Sequence, residues 1–133
     1  MREKIDLGSL VSELAKTHVE LWHEEDKARK PNASDAEIAA VKRKIDKLNQ
    51  ERNNLIETLD EAFLTMLLQR HVLAPPDASW NSEPPGSIID RLSILSLKVY
   101  HMQEQEDRAD ASEDHREKCK AKRSTLELQR NDL

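Results

Sequence analysis

Apolar residues recur at steps of three and four along most of this chain, the spacing that places side chains on one face of an α-helix. The first apolar stripe runs from Leu7 to Trp22, and Pro31 follows it. Because proline lacks a backbone donor and clashes with the preceding turn, the first helix should end before it. A first helix is therefore predicted to begin between Asp6 and Ser9 and to end before Pro31.

A second and longer helix is predicted from Asp35 to about His71, a segment without glycine or proline. Ser34 precedes it and Glu37 stands three residues later, which is the spacing of a capping box. In that motif each of the two side chains accepts a hydrogen bond from the other residue's backbone N–H. At 1.5 Å per residue, such a helix would reach roughly 55 Å.

The segment 72–86 is predicted to be the one long loop of the chain, because it holds four of the five prolines. A loop of this length in a small helical protein is often functional. Trp80 lies within it, and a tryptophan in a loop usually packs onto the protein. We therefore expect the indole to contact the helices.

A third helix is predicted to start at Ser87, with Asp90 three residues on as its capping partner. The free N–H groups at such a helix start could instead bind an anion. Apolar residues disappear over 107–112, which predicts a turn and then a fourth helix. One continuous helix to the C-terminus is the alternative.

The composition agrees with a helical protein, since only one phenylalanine and one tyrosine occur among 133 residues and 35% of residues are charged. Strands favour aromatic residues, which are scarce here. The prediction is an all-α fold, an antiparallel bundle of three to four long helices, in a single domain over 1–133. Thin apolar stripes would leave apolar surface uncovered in a monomer, so we expect a homo-oligomer, with a dimer as the simplest form.

The formal net charge of −5 argues against a general nucleic-acid binder. The N-terminal residues are charged rather than signal-like, and no apolar run is long enough to span a membrane. The single Cys119 excludes an internal disulfide and suits a reducing compartment, and no base is expected beside it. We therefore expect a cytoplasmic protein without nucleic-acid or membrane partners, and no motif predicts a cofactor.

The most unusual position is Arg52, which falls within the apolar stripe between Leu48 and Leu55. A guanidinium there must be paired or line a cavity, because an unpaired buried charge is very costly. Asparagine is a poor helix former, yet Asn49 and Asn53 stand on the neighbouring turns. Three interpretations stay open: an interhelical hydrogen-bond network that fixes register, a ligand site, or a solvated helix face.

Two pairs of possible metal ligands have a spacing of three, His23 with Asp26 and Glu57 with Asp60. Helical bundles use a histidine and a carboxylate at this spacing to hold metal ions. If the first two helices pair in line across their short connection, however, the two pairs lie about 25 Å apart. We therefore predict no metal site.

Three segments resemble a known family: LWHEEDKAR at 21–29, IDKLNQERNNLIETLDE at 45–61 and NSEPPGSIIDRLSILSLKVYHM at 81–102. The family is bacterial and of unknown function, number 4254 of the domains of unknown function. Some of its members are encoded beside glycosyltransferases of envelope polysaccharide synthesis. The family continues past a stretch similar to Gln129–Leu133, so the resemblance implies that this C-terminus is truncated relative to the family.

The resemblance implies a set of ligand-binding residues drawn from all three segments. They are Trp22, His23, Asp26, Arg29, Asp46, Asn49, Arg52, Asn53, Glu57, Asn81, Ser82, Glu83, Asp90 and Arg91. The polar residues between the helices predict recognition of a polar or anionic metabolite, and the resemblance implies that this is a sugar or nucleotide-sugar, bound in an accessory role in envelope polysaccharide synthesis.

Two other classes of function stay open. A small helical enzyme could use His23 or an acidic side chain as acid–base in an inter-helix pocket. The segment Arg43–Leu48 also resembles the start of the first helix of all-helical chorismate mutases, which hold a dicarboxylate with Arg and Lys. The third class is a structural protein-interaction module, in which the polar seam only sets the helix register.

Overall fold

The structure, a computed structural model, describes residues 6–133, which form four α-helices and no strand. These are α1 (Leu7–Ala28), α2 (Asp35–Gln69), α3 (Pro85–Glu106) and α4 (Glu113–Asn131). The predicted all-α, helical-bundle class is confirmed, and the alternative of one continuous helix after residue 87 is wrong. None of these helices is both long and apolar enough to cross a bilayer. The chain divides into two compact units, Met1–Ile89 and Asp90–Leu133.

In the first unit, α1 and α2 pack against each other as an antiparallel hairpin across the short connection 29–34. The Asp6 side chain caps α1 by accepting a hydrogen bond from the Ser9 N–H at 3.3 Å. The predicted capping box opens α2, with 3.2 Å from the Glu37 N–H to Ser34 Oγ and 2.8 Å from the Ser34 N–H to Glu37 Oε2. Both predicted helix starts are confirmed. At each one, a nearby side chain accepts a hydrogen bond from an otherwise unpaired N–H group of the first turn.

The buried core of this unit is small. Leu14 on α1 and Leu59 on α2 are completely buried, and Ile45, Leu48 and Ala62 on α2 are buried almost as fully. These α2 positions follow the steps of three and four seen in the sequence, so the predicted apolar stripe faces inward here. A core this thin makes each of its members important for stability.

A Schellman motif ends α2. The Val72 N–H donates to the Leu67 carbonyl at 3.0 Å, and the His71 N–H donates to the Leu68 carbonyl at 3.1 Å. His71 has a φ of 54°, the left-handed conformation that this motif requires and that glycine usually supplies. The motif turns the chain back towards the last turn of α2.

The start of α3 differs from the prediction, because the helix begins at Pro85. The Ile88 N–H donates to the Pro84 carbonyl at 3.2 Å, so Pro85 takes the first helical position. Proline is favoured there because its φ is already helical and its missing donor has no partner to lose. The capping pair predicted between Ser87 and Asp90 is wrong, since both residues lie inside the helix.

The first turn of α3 finds its acceptor on α2 instead. Asp60 Oδ1 accepts a hydrogen bond of 2.7 Å from the Gly86 N–H, across a separation of 26 residues. A Cβ on Gly86 would lie 2.5 Å from the carbonyl oxygen of Ile56. The absence of a side chain at Gly86 therefore allows the two backbones to approach closely enough for this bond.

We expect Asp60→Ala to lower the free energy of unfolding by about 1–2 kcal/mol, because it removes the acceptor of a part-buried helix N–H. Asp60→Asn keeps an acceptor oxygen and should lose less. The control is Glu57→Ala, which removes an exposed carboxylate from the same helix and should change stability by less than about 0.5 kcal/mol. Chemical denaturation measures all three, and equal losses in the two alanine variants would contradict the capping role.

In the second unit, α3 and α4 run antiparallel across the predicted turn at 107–112, since the end of α3 contacts the first half of α4 and the start of α3 shares a groove with the end of α4. Ser112 caps α4 by accepting from the His115 N–H at 3.2 Å. Arg123 of α4 links the two helices, with its Nε donating to Glu106 Oε2 of α3 at 2.7 Å. Both side chains are only about one-fifth exposed, so solvent screens this ion pair less than a pair on the surface.

The long loop does not pack its tryptophan onto the protein, because the Trp80 side chain is 101% exposed. The prediction that it contacts the helices is wrong. The loop is held by its own hydrogen bonds instead, from the Ala78 N–H to the Pro75 carbonyl at 3.0 Å and from the Glu83 N–H to Asn81 Oδ1 at 3.0 Å. Such local turns order a loop without burying its apolar side chains.

Candidate functional site

The predicted site residues at the end of α1 lie mostly at the surface. His23, Asp26 and Arg29 are exposed, and Trp22 is half-buried. Asp26 and Arg29 form an exposed ion pair with 3.9 Å between Oδ1 and the nearest guanidinium nitrogen. An ion pair between two exposed side chains contributes little free energy and does not hold either side chain in one position. The structure therefore does not fix these side chains around a common point.

On α2 the predicted polar stripe divides into two parts. Arg52 and Asn49 are half-buried, and Arg52 is engaged with a partner, as expected for a charge in an apolar stripe. The exposed members are Asp46, Asn53 and Glu57. Asp46 accepts a hydrogen bond from Lys42 Nζ at 2.8 Å, and this bond raises the pKa of the lysine above its usual value. Only the part around Arg52 faces inward.

The residues predicted from the third segment also separate. Asn81 and Ser82 are exposed in the loop and Glu83 is half-buried. Asp90 is 5% exposed and Arg91 is exposed, and both are engaged with partners. Asp90 is the one member of the predicted ligand-binding set that is buried. Ligand binding by these residues stays a prediction.

Three buried polar side chains of α1 were not among the predicted site residues. Thr17, His18 and Glu24 are 7%, 4% and 8% exposed. Glu24 accepts a hydrogen bond from Lys27 Nζ at 2.8 Å, and among the described residues no buried side-chain N or O atom lacks a partner. His18 follows Leu14 by one helical turn, so the sequence spacing could have placed it inward.

A groove of about 410 Å³ runs between α1 and α2 in the first unit. Its lining residues are Glu13, Lys16, Thr17, Glu20, Glu51, Asn54, Leu55 and Thr58. Three carboxylates against one lysine give it a negative charge, which repels anions. Its hydroxyls already donate to the carbonyls of the preceding turn, Thr17 to Glu13 at 3.0 Å and Thr58 to Asn54 at 2.8 Å. This groove is a solvated surface that disfavours an anionic ligand.

A second groove, of about 550 Å³, lies between α3 and the end of α4 in the second unit. Its lining residues are Arg91, Ile94, Leu95 and Lys98 of α3 and Gln129, Asp132 and Leu133 of α4. Arg91 and Lys98 are seven residues apart, two helical turns or about 10 Å along one face. Ile94 and Leu95 form an apolar floor between the two cations. The arrangement can hold an anionic group and cover the apolar face of a ring.

No group of three or more His, Cys, Asp or Glu side chains in residues 6–133 is placed to hold a metal ion. Cys119 does have a base beside it, contrary to expectation, because His115 Nε2 lies 3.6 Å from its sulfur. Gln105 Oε1 lies 3.1 Å from the same ring nitrogen, so it does not orient the ring through the opposite one, as the third member of a Cys–His catalytic site does. The thiol is also 5% exposed, which argues against nucleophilic catalysis here.

Comparison with known families settles the relationship inferred from the three segments. The profile of a family described as "Protein of unknown function (DUF4254)" matches residues 8–133. The chain belongs to the DUF4254 family. No curated protein and no solved structure gives a significant match. Because the description of DUF4254 states no activity, the function of this member has to be argued from its own geometry.

Proposed function

We propose that this protein binds an anionic metabolite in the α3–α4 groove. The observation that carries the proposal is the pairing of Arg91 and Lys98 on one face of α3, at the two ends of an apolar floor. A guanidinium binds phosphate or carboxylate through two parallel hydrogen bonds, and an ammonium adds a point charge with three donors. The groove between α1 and α2, in the first unit, is instead lined by three glutamates and one lysine, so its charge is negative.

The size and the rim of the groove favour a sugar linked to phosphate. A volume of about 550 Å³ falls within the range of small-molecule sites. Gln129 and Asp132 bring an amide and a carboxylate to the α4 side, and both groups hydrogen-bond readily to hydroxyls. In this proposal the phosphate lies at Arg91 and Lys98 and the hydroxyls face α4. Such a ligand fits a cytoplasmic accessory role in envelope polysaccharide synthesis, which the family resemblance implies.

The binding test uses UDP-glucose as the probe, with glucose and inorganic pyrophosphate as comparisons, by isothermal titration calorimetry. We expect UDP-glucose and pyrophosphate to bind and glucose alone to bind far more weakly, because the charged contacts supply most of the attraction. Arg91→Ala should weaken UDP-glucose binding at least about tenfold, and Arg91→Ala with Lys98→Ala about a hundredfold.

Two further variants locate the site. Arg116→Ala removes an exposed α4 arginine outside the groove and should leave the affinity unchanged. Arg52→Met tests the alternative site centred on α2. Loss of binding in Arg52→Met with full binding in Arg91→Ala would contradict the α3–α4 location, and no binding of any phosphorylated probe would contradict the proposed function. Turnover of UDP-glucose in the calorimeter would assign the protein to the enzymes instead.

A further inference from the structure

The C-terminal end of α2 carries a continuous apolar surface that is open to solvent. Its members are Leu64, Leu67, Leu68, Val72 and Leu73, exposed by 59%, 39%, 57%, 53% and 78%, and we call this set the α2 patch. Steps of three and four place the leucines of the helix on one face. The hydrogen bond from the Val72 N–H to the Leu67 carbonyl turns the following residues back to the same end of the helix. The patch is therefore one surface rather than scattered side chains.

The α2 patch is uncovered within the hairpin, and most of it lies in an uncharged segment. At 35 residues against 22, α2 is 13 residues longer than α1, or about 20 Å, so its end extends beyond α1. The eight residues 62–69 also include no charged side chain, although 35% of the whole chain is charged. An exposed, uncharged, leucine-rich end is unusual for a soluble monomer and marks an interaction site.

We propose that the α2 patch is the interface of a homodimer, in which the α2 ends of two copies pack across a two-fold axis. A two-fold interface brings the same surface of both copies together, so that surface must be self-complementary. Residues 62–69 carry no charge and Arg70 is the one charged side chain among 62–73, so the leucines of the helix meet those of the second copy without like-charge repulsion.

The apolar area of the α2 patch is large enough for a second copy of the chain to pack on it. Burying the five side chains of the α2 patch would remove roughly 500 Å² of apolar surface from each chain, and the fully exposed Trp80 of the adjoining loop would add about 200 Å². The pair would then bury on the order of 1,000–1,400 Å², which reaches the lower range of specific interfaces. This inference does not rest on ligand binding, because the patch and the α3–α4 groove belong to different units of the chain.

Sedimentation equilibrium of the full chain across the micromolar range tests the proposal. We expect a dimer. The double variant Leu64→Glu, Leu68→Glu places four carboxylates in the closed interface and should weaken dimerisation by about a hundredfold or more. Leu128→Glu makes the same change at an α4 leucine that is 65% exposed, and it should dimerise like the unmodified chain.

Circular dichroism checks that the helices persist in each variant. Leu73→Glu lies beyond the end of α2 and provides a second disruption that leaves helix packing intact, in case the double variant fails to fold. A monomeric unmodified chain would overturn the proposal and leave the patch to another protein or to a segment outside this sequence. A dimer that survives both patch variants, or that Leu128→Glu dissociates equally, would also overturn it.

Discussion

Gly86→Ala is expected to destabilise the protein by about 3 kcal/mol. The new Cβ would lie 2.5 Å from the Ile56 carbonyl oxygen and 2.9 Å from Asp60 Oδ1. The first of these atoms belongs to the backbone of α2 and cannot rotate away, so the start of α3 has to move off α2. Overpacking of this kind costs about 1–3 kcal/mol, and loss of the Gly86–Asp60 bond adds about 1 kcal/mol.

Gly8→Ala is the matched control, since it makes the same change in the first turn of α1. There the nearest atom is Asp6 Oδ1 at 3.4 Å, the end of a flexible side chain in ordinary contact. Alanine is also the better helix former, so this variant should be neutral or more stable by up to about 1 kcal/mol. Urea denaturation of both variants measures the difference. Similar stabilities would mean that α3 does not need its close approach to α2.

The second large effect is expected from Leu14→Ala, with a loss of about 3–4 kcal/mol in the free energy of unfolding. Leu14 is completely buried in the α1–α2 hairpin, and truncation leaves a cavity in addition to the lost burial. Few side chains of the first unit are fully buried, so little neighbouring apolar volume is available to fill the gap. The loss should therefore exceed the lower end of the range of about 2–5 kcal/mol for buried leucine-to-alanine changes.

Leu128→Ala provides the comparison, because it removes the same atoms from a leucine that is 65% exposed. It should change stability by less than about 0.5 kcal/mol. Thermal and urea unfolding followed by circular dichroism distinguish the two variants. A loss for Leu14→Ala no larger than that for Leu128→Ala would contradict the position of the core.

The helix starts that could be predicted from the sequence are those whose caps are local. The predicted start of α1 and the predicted Ser34–Glu37 capping box are both confirmed, and the caps at these two starts join residues three apart. The start of α3 could not be predicted in the same way, because its acceptor, Asp60, comes from a different helix. Sequence spacing favoured a local Ser–Asp pair where a tertiary contact decides the outcome.

The candidate site shows the same limit. Periodicity correctly placed Arg52 at least partly inward, because that prediction depends on one helix alone. The α3–α4 groove depends on how two helices pack. Nothing in the sequence therefore indicated that Lys98 and Gln129 line the same groove. Arg91 was included only through the family resemblance. The prediction for Trp80 is wrong because it depended on the general tendency of tryptophan side chains to pack, and the sequence identified no residue for this indole to contact.

The contact between Gly86 and Asp60 changes what the intervening segment has to do. Since α3 is fastened directly to α2 at its first turn, residues 70–84 act as a tether and not as a spacer that sets helix position. The entropic cost of closing a flexible loop rises only slowly with its length. The exposed residues 74–79, which lie between the α2 patch and Trp80, are therefore expected to tolerate a grafted reporter peptide or a break between two co-expressed fragments.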